Sequence, residues 1–321
     1  MKPVTLLTGF LGAGKTTLLN RVLPALPETA VLINEFGEIG LDHLFVEALE
    51  GDAVLLAAGC LCCTIRGDIS RALRDLAATG RPFRRVIIES TGLADPAPIL
   101  QTLMSDPLLA RDYALAGVLT LVDAVHGMAT LDTQPEAVRQ VAMADRLVLT
   151  KTDLAEDTGA LRERLALLNP VAPVLERDAP AEALLADEGF ATAGKLPEVS
   201  DWLAAVRPAH HHAHDVNRHD ARIRALCLHF DQPLNWAGLA SWLEMMSVTQ
   251  GERMLRMKAV LNLAGEAGPV VLHGVQHSFH APRRLAGWPA GDDRSSRLVF
   301  ILRDLDPEVV ERGLRAFLEA A

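Results

Sequence analysis

Gly9-Phe10-Leu11-Gly12-Ala13-Gly14-Lys15-Thr16, followed by Thr17, keeps the spacing GxxxxGK[ST] and starts eight residues into the chain. The pattern predicts a phosphate cradle, because successive backbone N–H groups closing on a helix N-terminus form an anion site. The flanking sequence predicts the frame such a loop needs. Pro3-Val4-Thr5-Leu6-Leu7-Thr8 reads as a short buried strand, and Thr16–Leu26 as a helix stopped at Pro27. Gly9 and Gly14 permit the tight turn and a close backbone approach that a side chain would obstruct. The backbone of Gly12, Ala13, Gly14, Lys15, Thr16 and Thr17 is expected to bind phosphate. Lys15 would reach the β- and γ-phosphates, and the Thr16 hydroxyl would sit on Mg²⁺.

Apolar strands then alternate with helical patterns: Ala30–Ile33, Ala53–Ala57, Arg85–Glu89, Ala116–Asp123 and Arg146–Thr150, with helices such as Asp68–Ala78 and Ala137–Ala144 between them. This rhythm predicts an α/β P-loop NTPase fold with a mainly parallel sheet, covering 1–178. Ligands bind such sheets where the strands' carboxyl ends open. Residues 179–220 turn rich in Ala, Pro and Glu, with a helix expected at Val199–Val206, and read as a linker. Over 221–321 the expected order is strand Arg222–Phe230, helix Trp236–Met246, strands Leu255–Leu263, Val270–Phe279 and Arg297–Leu302, and helix Pro307–Leu318. That order is a smaller α+β domain.

At 321 residues, half of them apolar, the chain suits two cores. A net charge of −10 argues against general nucleic-acid or membrane-surface binding. Apolar stretches are strand-length and broken by charge or Gly/Pro, so no bilayer span is expected. The N-terminus lacks the basic, apolar and small-residue succession of a signal peptide, and a cytoplasmic location follows as the expectation.

Two further strand ends carry chemistry. Arg85–Ile88 runs into Glu89-Ser90-Thr91-Gly92, where Glu89 is placed to manage Mg²⁺ or its waters and the Gly92 N–H to sense the γ-phosphate. Leu147–Leu149 runs into Thr150-Lys151-Thr152-Asp153, close to the NKxD pattern of guanine-selective proteins. The Asp153 carboxylate would accept from N1–H and the exocyclic amine, a donor pair adenine lacks, while Lys151 lays its methylenes along the base. Thr150 stands where Asn is usual and supplies no side-chain amide. GTP is therefore expected over ATP.

The third constellation is Gly59-Cys60-Leu61-Cys62-Cys63-Thr64, three of the chain's four cysteines. Thiolates are soft ligands for Zn²⁺, Cu⁺ or Fe–S centres, and in a reducing compartment such a cluster reads as a metal site. In an extended strand Cys62 and Cys63 would face opposite ways, so a turn is needed, which Gly59 allows. A fourth ligand could come from Glu38 or Glu35 in Asn34-Glu35-Phe36-Gly37-Glu38. Residues 34–42 form the expected first switch loop, which γ-phosphate and Mg²⁺ would order.

GFLGAGKTT, INEFGEIGLD, GCLCCT, VIIESTGLADP and LTKTD, in this order, resemble the CobW-like branch of the metallochaperone GTPases of the SIMIBI class, and most nearly its YjiA-type zinc chaperones. KAVLNLAGEAGPVVLHGVQHSFH and RSSRLVFILRDL resemble the family's C-terminal domain, so the similarity spans nearly the whole chain. The resemblance implies slow GTP hydrolysis, metal held by Cys60, Cys62 and Cys63, and delivery to a client metalloprotein. It carries over Glu38 and Cys62 as metal ligands. It departs at Ile33, where YjiA-type proteins can have a glutamate. Zn²⁺ is the expected cargo, with Co²⁺ or Ni²⁺ as alternatives. A passive metal-binding or storage protein with a structural nucleotide site and an ATP-using kinase or synthetase are the rival classes. Oligomers are common in such GTPases, but no interface signature is visible.

Five of eleven histidines, His210, His211, His212, His214 and His219, fall within ten positions and suit either metal collection or a solvated linker. His273 and His277 would share one strand face and read as ordinary half-buried histidines. Cys227 is expected in the core, and Trp236, Trp242, Met245 and Met246 on a packed helix face.

Overall fold

The computed structural model describes residues 1–34, 54–58, 65–185, 222–288 and 291–321. The chain divides into two compact units. The first contains seven strands: β1 (Lys2–Gly9), β2 (Thr29–Asn34), β3 (Val54–Ala58), β4 (Arg85–Glu89), β5 (Tyr113–Asp123), β6 (Arg146–Thr150) and β7 (Val174–Glu176). They lie in the order β3-β2-β4-β1-β5-β6-β7, and every neighbouring pair is parallel. Parallel strands need long crossovers, and helices supply them. These are α1 (Lys15–Val22), α2 (Ile65–Ala78), α3 (Ala97–Ser105), α4 (Gly127–Thr133), α5 (Pro135–Met143) and α6 (Gly159–Leu168), with a short α7 (Ala181–Leu184) after the sheet.

Because both faces are covered, the central strands read as near-continuous apolar runs, interrupted by small threonines such as Thr5, Thr8 and Thr120. Residues Val4 to Gly9 of β1 and Tyr113 to Val122 of β5 are buried throughout. On one face Leu18, Leu19 and Val22 of α1 pack on Leu7, Val31, Ile87, Leu119, Leu121 and Val148. The Tyr113 hydroxyl ties β5 to α2 by donating to the Leu73 carbonyl (2.8 Å). Burial pushes its phenol up to about 12. The first helix stops earlier than Pro27. It ends at Val22 and a 3-10 turn follows over Leu23–Ala25, because Pro24 has no N–H to continue the ladder.

The second unit is built on strands β8 (Ile223–Phe230), β9 (Met254–Leu261), β10 (Val270–Val275), β11 (Ser278–Phe279), β12 (Arg283–Arg284) and β13 (Ser296–Arg303). The order β11-β10-β9-β13-β8 is antiparallel throughout, with β12 alongside β10. Helices α8 (Trp236–Gln250) and α9 (Pro307–Ala320) share one core with the sheet, in which Trp242 meets Phe300 edge-on at 5.6 Å. The two helices approach closely at Gly238, where a Cβ would lie 2.6 Å from the Phe317 carbonyl oxygen.

Three expectations for this unit need correction. The strand expected over Val270–Phe279 is two strands joined at Gln276 and His277. Gln276 takes a left-handed φ of 51°, so His277 leaves the strand and its ring lies 2.7 Å from the Ser247 carbonyl. His273 alone stays in the sheet, buried. Cys227 points to the face opposite its core neighbours Leu226 and Leu228 and is half-buried, which pushes its thiol pKa up. Trp236, in the first turn of α8, is exposed, whereas Trp242 and Met246 are buried. Residues 186–221, with most of the expected linker, its Val199–Val206 helix and the histidine run, lie outside the described residues. No helix among the described residues is long and apolar enough to cross a membrane.

Candidate nucleotide site

All seven strands of the first sheet point the same way, so their carboxyl ends share one edge, and the candidate residues gather there. At the end of β1, Gly9 lies opposite Leu121 of β5. A Cβ on Gly9 would stand 2.6 Å from the Leu121 carbonyl oxygen, and its φ of 142° is one L side chains rarely take. Gly12 and Gly14 then turn the chain through left-handed φ values of 74° and 87° into α1. The Ala13 N–H closes the turn on the Phe10 carbonyl (3.1 Å). Lys15 folds its amine over this loop, donating to the carbonyls of Gly9 (2.8 Å) and Phe10 (3.2 Å). A cation and the N-terminus of α1 thus converge on one loop, the arrangement of an anion site.

The next residue meets the acidic strand end. The Thr16 hydroxyl donates to Glu89 Oε1 at 2.8 Å, and Glu89 is 6% exposed. Hydroxyl and carboxylate oxygens are hard donors of the kind Mg²⁺ takes alongside phosphate and water. Beyond Glu89, the Ser90 hydroxyl donates to Thr8 Oγ1 (2.8 Å) and its N–H to the Leu7 carbonyl (2.9 Å). Gly92 then presses on the phosphate loop, where a Cβ would stand 2.6 Å from Leu11 N. The expected γ-phosphate sensor and the phosphate cradle are in backbone contact.

At the other end of the loop, register sets Thr150 beside Asp123. The Thr150 hydroxyl donates to the Ala13 carbonyl at 2.9 Å, with the Val122 carbonyl at 3.3 Å. The residue that departs from NKxD therefore still ties strand β6 to the phosphate loop, by a hydroxyl. Lys151 has a left-handed φ of 57° and its amine lies 2.6 Å from Asp123 Oδ2. Burial works to raise the Asp123 pKa. The Lys151 bond and the N–H groups of His126 and Val125 outweigh it and hold the carboxyl below the usual carboxylate range. Asp153 stands out at the rim, its side chain 62% exposed and 4.0 Å from Arg177. A cavity of about 200 Å³ opens beside the phosphate loop, lined among others by Phe10, Leu11, Asp123, His126, Gln140 and Lys151.

Residues 3–176 match the CobW/HypB/UreG nucleotide-binding domain family, and residues 223–318 match the cobalamin synthesis protein CobW C-terminal domain. The chain belongs to the CobW/HypB/UreG family. The zinc chaperone YjiA of Escherichia coli (strain K12) is 35% identical over 97% of this chain and 98% of its own length. The zinc-regulated GTPase metalloprotein activator 1 of Saccharomyces cerevisiae is 26% identical over 99% of this chain and 83% of its own. The solved structure of Zn(II)-bound YjiA GTPase from E. coli superposes with a TM-score of 0.72 at 30% identity, covering 98% of both chains. The family is thus one of GTPases, with a zinc-bound member among the solved relatives.

The structure brings together Gly9, Gly12, Ala13, Gly14, Lys15, Thr16, Glu89 and Gly92, and sets Lys151 against the same loop. Glu35, Glu38, Cys60, Cys62 and Cys63 lie outside the described residues. Among the described residues no cluster of His, Cys, Asp or Glu suits a metal ion. Sequence reasoning missed Asp123 as the partner of Lys151; its position at a strand's carboxyl end, Leu-Val-Asp, was the available signal. Replacing Thr150 with Val keeps its shape and removes one donor from Ala13, whose residue is 1% exposed. We expect a loss of about 1–3 kcal/mol of stability, read by urea denaturation. A loss no greater than a few tenths would mean the bond is immaterial.

Proposed function

We propose that this chain is a GTP-hydrolysing zinc chaperone, loading Zn²⁺ on the Cys60, Cys62 and Cys63 thiolates with Glu38 and releasing it to a client metalloprotein as GTP is spent. Lys15 and the backbone of Gly12 to Thr17 hold the phosphates, and Asp153 reads guanine with Lys151 along the base. Thr16 and Glu89 would hold Mg²⁺, which when bound screens the β- and γ-phosphate charge. Gly92 offers its N–H at the γ-phosphate. The phosphate loop contains no arginine, so intrinsic turnover is slow and open to acceleration by a partner or by the cargo.

The observation that carries the coupling is topological. β3 ends at Ala58 and α2 begins at Ile65, so the cysteine stretch leaves from and returns to the described fold at the sheet edge where β1 and β4 end. In the order β3-β2-β4-β1 the two ends are three strand spacings apart, about 14 Å. The segment after β2, with Glu38, leaves from the same edge. Switch loops ordered by γ-phosphate and Mg²⁺ relax when the bond is cut.

The test is zinc stoichiometry and affinity, on protein free of an affinity tag, with GDP against a non-hydrolysable GTP analogue. Nucleotide-dependent zinc binding is expected. Cys62→Ser should weaken zinc binding by about 10- to 100-fold, at least what the loss of an outer-sphere partner costs. Zinc affinity indifferent to both the nucleotide and Cys62 would remove the chaperone reading and leave a GTPase alone.

A further inference from the structure

The loop after β4 is held from one helix. Gln140, in the middle of α5 and 1% exposed, donates both protons of its side-chain amide, to the carbonyls of Gly92 (3.1 Å) and Ala94 (3.0 Å). The amide orientation is determined, since the reverse one would set Oε1 against two carbonyl oxygens; as it stands, Oε1 is buried with no partner among the described residues. The preceding residue grips the same loop: Arg139 Nε lies 3.5 Å from Asp95 Oδ2, while its Nη2 pairs with Glu136 at 2.9 Å. Asp95 in turn accepts from the Ala97 N–H at the start of α3 (3.0 Å). The turn of α5 that does this is itself fixed to β5, because the Thr120 hydroxyl donates to the Gln140 backbone carbonyl (3.0 Å).

A buried amide that spends both donors on one loop fixes that loop, since a buried N–H that lost its carbonyl would keep its desolvation penalty. Such an arrangement belongs to a position held for geometry. The geometry in question is that of Gly92, which abuts Leu11 of the phosphate loop with no room for a side chain.

We infer that Gln140 is a positioning residue for GTP hydrolysis: it clamps the 92–94 carbonyls so that the Gly92 N–H faces the γ-phosphate position, and it joins that loop mechanically to α5. The inference rests on the assignment of Gly92 to the γ-phosphate. It predicts a rate effect specific to the triphosphate, because GDP places nothing at that N–H. The chemistry of the clamp is amide-to-carbonyl, so neither a carboxylate nor a thioether of the same length can replace it.

The experiment compares Gln140→Met, which keeps length and most of the volume but has no donor, with Gln140→Glu and Gly92→Ala in the full chain. Steady-state GTP hydrolysis and GDP affinity are measured for each. For Gln140→Met and Gln140→Glu, kcat should fall about 10- to 100-fold, the scale of an ångström-sized misplacement. KM for GTP and Kd for GDP should stay within about twofold of the parent's, marking an interaction made on the way to the transition state. A Gln140→Met protein with parental kcat overturns the clamp, as does one in which GDP affinity falls as far as kcat. Gly92→Ala separates the two assignments. If it leaves hydrolysis unchanged, or lowers GDP affinity as far as hydrolysis through displacement of the phosphate loop, the γ-phosphate role of Gly92 fails; if it impairs hydrolysis with GDP affinity kept while Gln140→Met does not, that role stands and the clamp alone is lost.

Discussion

Lys15→Ala should lower GTP hydrolysis by on the order of 10²- to 10³-fold, the cost of removing one preorganised donor from a developing anion, and more if the lost charge counts in full. The amine sits over the loop through the carbonyls of Gly9 and Phe10, the loop that we propose holds the phosphates. The proposed zinc ligands are separate from this residue in the chain. Zinc affinity of the variant, measured without nucleotide, should therefore stay within about twofold of the parent's, in the manner of independent sites. Phosphate release assayed beside zinc titration checks both. A variant that loses hydrolysis and zinc together would show one fused site in place of two coupled ones, and a variant that still hydrolyses GTP would remove Lys15 from the chemistry.

Asp153→Ala should act at the opposite end of the nucleotide and in a different quantity. A carboxylate that accepts two hydrogen bonds from guanine leaves both donors unmatched when it is gone, and fully buried sites of this kind discriminate by 10⁴ or more. Asp153 is 62% exposed, so water can take over part of its role. The expected loss is smaller, about 10²-fold in GTP affinity, or about 2.8 kcal/mol. ATP affinity should hardly change, and the GTP-to-ATP preference should shrink by the same factor. Competition of each nucleotide against a fluorescent GDP measures this directly. An unchanged preference would mean that base selection lies elsewhere. Thr150 is not the substitute, since its hydroxyl is committed to the carbonyls of Ala13 and Val122.

The phosphate loop and its strand–helix frame were legible because glycine and lysine at fixed spacing have few other uses, and Glu89 followed from its place at a strand end. The β-α alternation likewise identified the parallel sheet, whose central strands are buried nearly throughout. The early end of α1 was also written locally, in Pro24, two residues past Val22; the later Pro27 was given more weight than it carries. The β10–β11 hairpin was not legible. Its turn residues Gln276 and His277 lack the Asn or Gly that normally signals a left-handed φ, and tertiary contact with Ser247 holds them instead. Gln140 was invisible for a related reason. A glutamine inside an amphipathic helix has no spacing that distinguishes a clamp from a solvated polar residue, and only the fold brings Gly92 and Ala94 to it. The cysteine motif, read from thiol density and the turn that Gly59 allows, lies outside the described residues.

β3 has one ladder partner, β2, among the described residues, whereas β1 is flanked on both sides. Peeling back that border strand breaks a single row of backbone bonds and leaves the central rows untouched, and boundary segments of this sort open at lower free energy than interior ones. The cysteine stretch follows directly on one of the two border strands of the sheet. Under the proposed function, a local opening of that border strand would free the ion without parting the central rows that carry the phosphate loop.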